Sequence, residues 1–95
     1  MMSEKEYSYP LDLDWSTDEI VDVTEFFVAV EQAFEGDGVL RGELAERYQA
    51  FKRVVPGKSE EKTLFKEFKS RSGLESYEVV KQLKEIEDDQ AIIRG

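Results

Sequence analysis

The chain has 95 residues, 40% of them apolar and 12% aromatic, with a formal net charge of −9 and neither cysteine nor histidine. A chain of this length sustains one hydrophobic core and not two. The missing cysteine excludes disulfides and thiolate metal sites and fits a reducing cytosol. The missing histidine removes the commonest general base and the commonest zinc ligand.

The longest uninterrupted apolar run covers only residues 26–30, far short of the ~20 residues that span a bilayer. The opening residues lack a basic stretch followed by an apolar one, so no signal peptide is expected and the expected location is the cytoplasm. Charge is unevenly spread. Residues 1–40 carry eleven acids and one base, residues 41–84 seven acids and eleven bases, and residues 85–95 four acids and one base. Such polarity predicts either two halves that face each other across the fold or a basic face open to a partner.

In the first fifteen residues Tyr7, Tyr9, Leu11, Leu13 and Trp15 alternate with polar residues and Pro10. A period of two predicts an extended arm, and Pro10 biases Tyr9 away from helical dihedrals. No second stretch alternates, so the arm is expected to lie across helices with its large side chains in a groove. The alternative is an edge that pairs with another chain.

Residues 16–35 predict the first and longest helix. Ser16 and Glu19 have the spacing of a capping box, and Trp15 and Ile20 that of a hydrophobic staple. Ile20, Val21, Val23, Phe26, Phe27, Val28, Val30, Ala33 and Phe34 form an apolar belt wider than a surface helix needs. Gly36 is expected to end this helix in a left-handed conformation.

Leu40, Leu44, Tyr48, Phe51 and Val55 mark a second helix over residues 40–54, with Gly42 weakening its first turn by about 1 kcal/mol. A third helix is expected over residues 59–72, capped by Ser59, with Leu64, Phe65 and Phe68 inward and a Schellman ending at Gly73 and Leu74. A fourth is expected over residues 76–87, with Tyr77, Val80, Leu83 and Ile86 inward and Val79 beside them, and Ile92 and Ile93 either extend the packing or lie loose. Short connections make sequential helices neighbours. The expected fold is therefore all-α, an irregular or orthogonal array of about four helices around a long first one, in a single domain over residues 1–95.

Catalytic and metal-binding patterns are sparse. Asp12, Asp14, Ser16 and Asp18 fall at alternate positions of a calcium loop, but Thr17 stands where its glycine should be and Val23 where its last acid should be. No glycine spacing makes a phosphate loop, and no serine or threonine has a histidine partner. The chain is expected to be no enzyme and to hold no metal or cofactor. The candidate binding residues are Lys52, Arg53, Lys58, Lys62, Lys66 and Lys69, clustered cations of the kind phosphates require. Glutamates interleave with them and no exposed aromatic is expected among them, so an ordinary solvated helix face is the simpler reading.

Several blocks together resemble a known family. They are Tyr9-Pro10-Leu11-Asp12, Asp14-Trp15-Ser16-Thr17, Glu25-Phe26-Phe27, Val30-Glu31-Gln32-Ala33, Val55-Pro56, Glu60-Glu61-Lys62, Leu64-Phe65-Lys66-Glu67-Phe68 and Ser76-Tyr77, with Tyr48, Phe51 and Lys52 between them. Across residues 7–87 the chain is similar to uncharacterised protein family 0223, YktA-like small proteins of Gram-positive bacteria. The resemblance implies a small helical cytosolic protein and carries no activity or site residues with it. Leu40 and Gly42 depart from the polar cap and acid that the family tends to place before its second helix. The leading functional expectation is a non-enzymatic interaction module acting on a protein partner, away from membranes. The alternative is an RNA- or DNA-associated factor using the basic face of residues 52–71.

Overall fold

The computed structural model describes residues 9–95. Its first helix, α1 (Thr17–Glu35), starts where local chemistry favours a start. Ser16 Oγ accepts from the Glu19 N–H at 3.2 Å, and Glu19 Oε1 accepts from the Ser16 N–H at 2.8 Å. Two orphan donors of the first turn are thereby satisfied. Strand β1 (Val39–Leu40) follows, then α2 (Arg41–Val54), α3 (Lys58–Ser72), the short α4 (Ser76–Val80) and α5 (Gln82–Glu85), and strand β2 (Ile92–Ile93). The fold is all-α apart from β1 and β2, which pair antiparallel with Val39 opposite Ile93 and Leu40 opposite Ile92. Two residues per strand are too few to leave a periodic signal in a sequence.

The core forms around α1, which contributes Val23, Phe26, Phe27, Ala29, Val30 and Ala33. Phe51 from α2 and Phe65 and Phe68 from α3 close on its two phenylalanines. Ring centroids lie 4.6 Å apart for Phe26 and Phe51 and 4.5 Å for Phe27 and Phe68. Such aromatic pairs add to the stabilisation from buried area. The buried face is narrower than the expected belt, because Val21 and Val28 remain exposed.

The arm is anchored by Tyr9, whose ring stacks on Phe27 and Phe68 and whose hydroxyl donates to both carboxylate oxygens of Glu31 at 3.0 Å. Arg71 donates to the Tyr9 carbonyl at 3.0 Å. The alternating pattern does not continue from there. Asp12 Oδ1 accepts the Asp14 N–H, and the Trp15 N–H reaches the Asp12 carbonyl, making a turn that leaves Leu13 95% exposed. Leu11 and Leu13 therefore fill no groove, and Tyr7 lies outside the described residues.

Burial raises the Glu31 carboxyl above its ordinary 4.5, against the Tyr9 hydrogen bond and with the help of the Glu35 charge. The folded state thus binds this proton more tightly than the unfolded state. Its contribution to stability declines as pH rises from the ordinary value through the raised one. Glu31→Gln removes that dependence. In urea denaturation at a series of pH values, the variant should gain on the wild type as pH rises toward neutrality. A difference that stays constant with pH would contradict the assignment.

Several expected helix ends are corrected. Gly36 is extended (φ −109), and Gly38 takes the positive φ of 97; the N–H groups of both reach the Gln32 carbonyl. Ser59 does not cap α3, which begins one residue earlier with Gly57 at the cap position and no side-chain cap. At its other end Gly73 is left-handed (φ 79), and its N–H bonds to the Lys69 carbonyl, the simpler ending rather than the Schellman one. The Ser72 hydroxyl there donates to the Phe68 carbonyl and accepts the Leu74 N–H. The expected fourth helix is interrupted at Lys81 and stops at Glu85.

The C-terminal segment accounts for both that early stop and the uncapped start of α2. The Arg41 N–H donates to the Ala91 carbonyl at 2.8 Å and the Gly42 N–H to the Asp89 carbonyl at 3.1 Å. These bonds satisfy donors that a polar cap would otherwise take. A Cβ on Gly42 would stand 3.1 Å from that of Asp89, so glycine lets the tail approach. Arg41 also donates to the carbonyls of Ile86 and Leu83, both at 2.8 Å, and pairs with Asp89 at 3.0 Å. A cation here offsets the negative end of α5. Ile93 is fully buried and the Gly95 N–H bonds to the Ala33 carbonyl, so the tail is part of the packing.

Candidate functional site

α3 is amphipathic. Leu64, Phe65 and Phe68 turn into the core, which leaves Lys62, Lys66 and Lys69 exposed. α4 packs against α3, with its Val79 and Val80 buried and Tyr77 left 58% exposed, and α5 continues from it beside α2. Between these elements runs an open groove of about 860 Å³. Lys58, Lys62, Lys66 and Lys69 line it from α3, and Lys81 and Lys84 from the α4–α5 side. Its floor is made by Phe65 and Val80, with the more open Tyr48, Leu83 and Tyr77.

Two glutamates also line the groove, Glu61 and Glu75. Glu61 is 9% exposed and its charge is answered locally: Lys52 Nζ lies 2.6 Å from one oxygen, and the Tyr48 hydroxyl donates to the other at 2.7 Å. Burial first, then the hydrogen bond and charge of Glu61, hold the Tyr48 phenol well above its ordinary value. It therefore stays protonated and remains a donor. Glu75 sits 3.6 Å from Lys69, and Glu78 3.2 Å from Lys81. The hydrogen bond and charge of Glu78 raise Lys81 and keep it cationic. Among the described residues, no ion pair engages Lys58, Lys62, Lys66 or Lys84.

Of the six residues singled out in the sequence, four stand together in the groove: Lys58, Lys62, Lys66 and Lys69. Lys52 is committed to Glu61, and Arg53 is exposed on the last turn of α2 outside the groove lining. The sequence reading missed Tyr77, Lys81 and Lys84, whose spacing of four and three puts them on one side of the last helical stretch. It placed Tyr77 inward on the fourth helix, whereas the structure leaves that ring 58% exposed beside the cations. Glu78 and Glu85 masked the signal, since a charge count over the segment comes out mixed.

A second hollow, of about 430 Å³, lies at the start of α2 among Arg41, Gly42, Glu43, Glu46 and Asp89. Its cation and its backbone donors are already bound by the C-terminal tail. Asp12 and Ser16 of the calcium-like pattern serve the turn and the helix cap. Among the described residues, no group of three or more acidic side chains is placed to share a metal ion. The hydroxyl of the buried Ser76 has no hydrogen-bond partner among them, so no base stands beside it. No described helix is long and apolar enough to cross a membrane.

Comparison with known proteins adds the family. Residues 6–92 match the model of an uncharacterised protein family, UPF0223. A UPF0223 protein of Lysinibacillus sphaericus is 54% identical over 83 residues, covering 87% of this chain and 86% of the relative. One from Staphylococcus saprophyticus is 51% identical over 84 residues, with 87% and 89% covered. One from Staphylococcus aureus is 42% identical over 87 residues, with 92% and 94% covered. With a match running through all five described helices, the chain belongs to the uncharacterised protein family UPF0223.

Proposed function

We propose that the protein is a non-enzymatic cytoplasmic interaction module that receives a protein partner in the lysine-rimmed groove between α3 and α4–α5. One observation carries the reading. In a chain with 22 acids, four groove lysines stand free of intramolecular ion pairs among the described residues, beside apolar side chains. Cations left unpaired around an apolar floor suit a surface whose complement comes from another molecule. The sparse catalytic equipment, with no histidine or cysteine and a buried serine without a base, supports binding over chemistry. Tyr77 favours a second reading, single-stranded nucleic acid stacked on its ring, because bases stack on exposed aromatics beside cations.

The test is photo-cross-linking in the native cell from a reactive side chain placed at Lys66 or Lys84, with Val21 on the outer face of α1 as control. Both groove positions should give the same discrete protein adduct and Val21 should not. Lys62→Glu with Lys66→Glu should lower the adduct from position 84 about tenfold, as expected where like charges meet across an interface. Adducts destroyed by nuclease would transfer the groove to nucleic acid, and their complete absence would remove it as a working surface.

A further inference from the structure

Resting on the reading of the groove as a protein-binding surface, we infer that its occupant is an acidic amphipathic helix of about three turns. The length follows from α3. Lys58, Lys62, Lys66 and Lys69 are spaced by four, four and three residues, a ridge ~16 Å long at ~1.5 Å per residue. A helical segment of about eleven residues spans the same distance with its acids repeating at the same interval.

The choice of a helix follows from cations standing on both walls. An extended segment sends successive side chains to opposite faces, so one that buried its apolar face would point its acids away from both walls. A helix carries an apolar stripe flanked by charge on both edges. That arrangement puts aliphatic side chains over Leu83, Tyr48 and Phe65 while carboxylates reach Lys62 and Lys66 on one side and Lys84 on the other. A nucleic-acid strand fits less well. Tyr77 is the one strongly exposed ring among the described groove residues, and Phe65, Val80 and Leu83 beside it offer an apolar surface rather than a second stacking platform. The outer face of α1 on a second copy is also acidic and carries Val21 and Val28. There, however, Glu25 is already held by Arg47 at 2.6 Å, and two valines make a small apolar stripe.

The experiment is fluorescence anisotropy of the full chain with a labelled peptide of about fifteen residues, leucines on one helical stripe and glutamates along both edges. The comparators are a scrambled peptide of the same composition, a proline-interrupted one and an oligouridine. The designed peptide should bind, gain helical circular dichroism on binding, and weaken as salt rises. Binding should fall about tenfold or more for the scrambled and proline-containing peptides and for the double reversal Lys62→Glu with Lys66→Glu. The neutral pair Lys62→Gln with Lys66→Gln, whose unchanged melting establishes that the fold is intact, should show a smaller loss in the same direction.

Equal binding of the scrambled peptide would overturn the helix, and tighter binding of oligouridine would overturn the protein occupant. A dimer of the chain alone that disappears in the double reversal would assign the groove to a second copy. If no peptide binds while the groove cross-links persist in cells, the acidic-helix assignment falls and the interaction reading survives. Loss of both removes both.

Discussion

Phe27→Ala is expected to cost about 3–5 kcal/mol, the range for deleting a fully buried phenylalanine. Its ring is 0% exposed and faces Phe68 at 4.5 Å, Phe26 at 5.1 Å and Phe51 at 5.9 Å, with Tyr9 stacked at 6.3 Å. Removing it separates the arm from α1 and leaves a cavity where α1, α2 and α3 converge. Rings on three elements cannot all collapse into that space without moving the helices, which places the cost toward the upper end. A domain of this size holds roughly 5–14 kcal/mol in total, so the loss is a large share of its stability. Equilibrium urea denaturation measures it. A loss below about 1 kcal/mol would place Phe27 outside the core.

Gly38→Ala is the second large effect, at about 2–4 kcal/mol from combined backbone strain and overpacking. Gly38 has φ 97, and a Cβ there would run into Ile92 Cγ2 and lie 2.9 Å from the Ile93 carbonyl oxygen. The methyl would push β2 off β1 and disturb the tail that caps α2. Gly73→Ala is the control. Gly73 also has positive φ, at 79, but nothing lies within 4 Å of its added Cβ. It should cost only the backbone preference, about 1–2 kcal/mol. Equal losses in parallel denaturation curves would show that the approach of the tail is not what makes Gly38 special.

The candidate site was half legible before folding. Lys62, Lys66 and Lys69 share a face of α3, and their spacing is enough to say so, because neighbours three and four apart on a helix always meet. That same rule could not separate Lys52 from them. Its partner Glu61 lies across the α2–α3 turn, and the pair forms only because Tyr48 and Lys52 converge on one buried carboxylate. Nor could it supply the second wall. Tyr77, Lys81 and Lys84 become groove residues only when α4 packs on α3 and α5 on α2.

By itself the sequence determined part of what lies within one turn of a residue, although the same local rules misplaced Gly36 and the Ser59 cap. The Ser16–Glu19 capping box, the inward faces of α1 and α3, and the left-handed Gly73 all depend on neighbours no more than four positions away. The tertiary structure decided the rest. Arg41 meets the carbonyls of Leu83 and Ile86 at separations of 42 and 45 residues, and backbone carbonyls at Asp89 and Ala91 cap α2 in place of a side chain. A carbonyl is present at every position and leaves no mark in a sequence. Only the path of the chain says which one arrives, and in this protein that path turns an apparently uncapped helix into the anchor of the C-terminal tail.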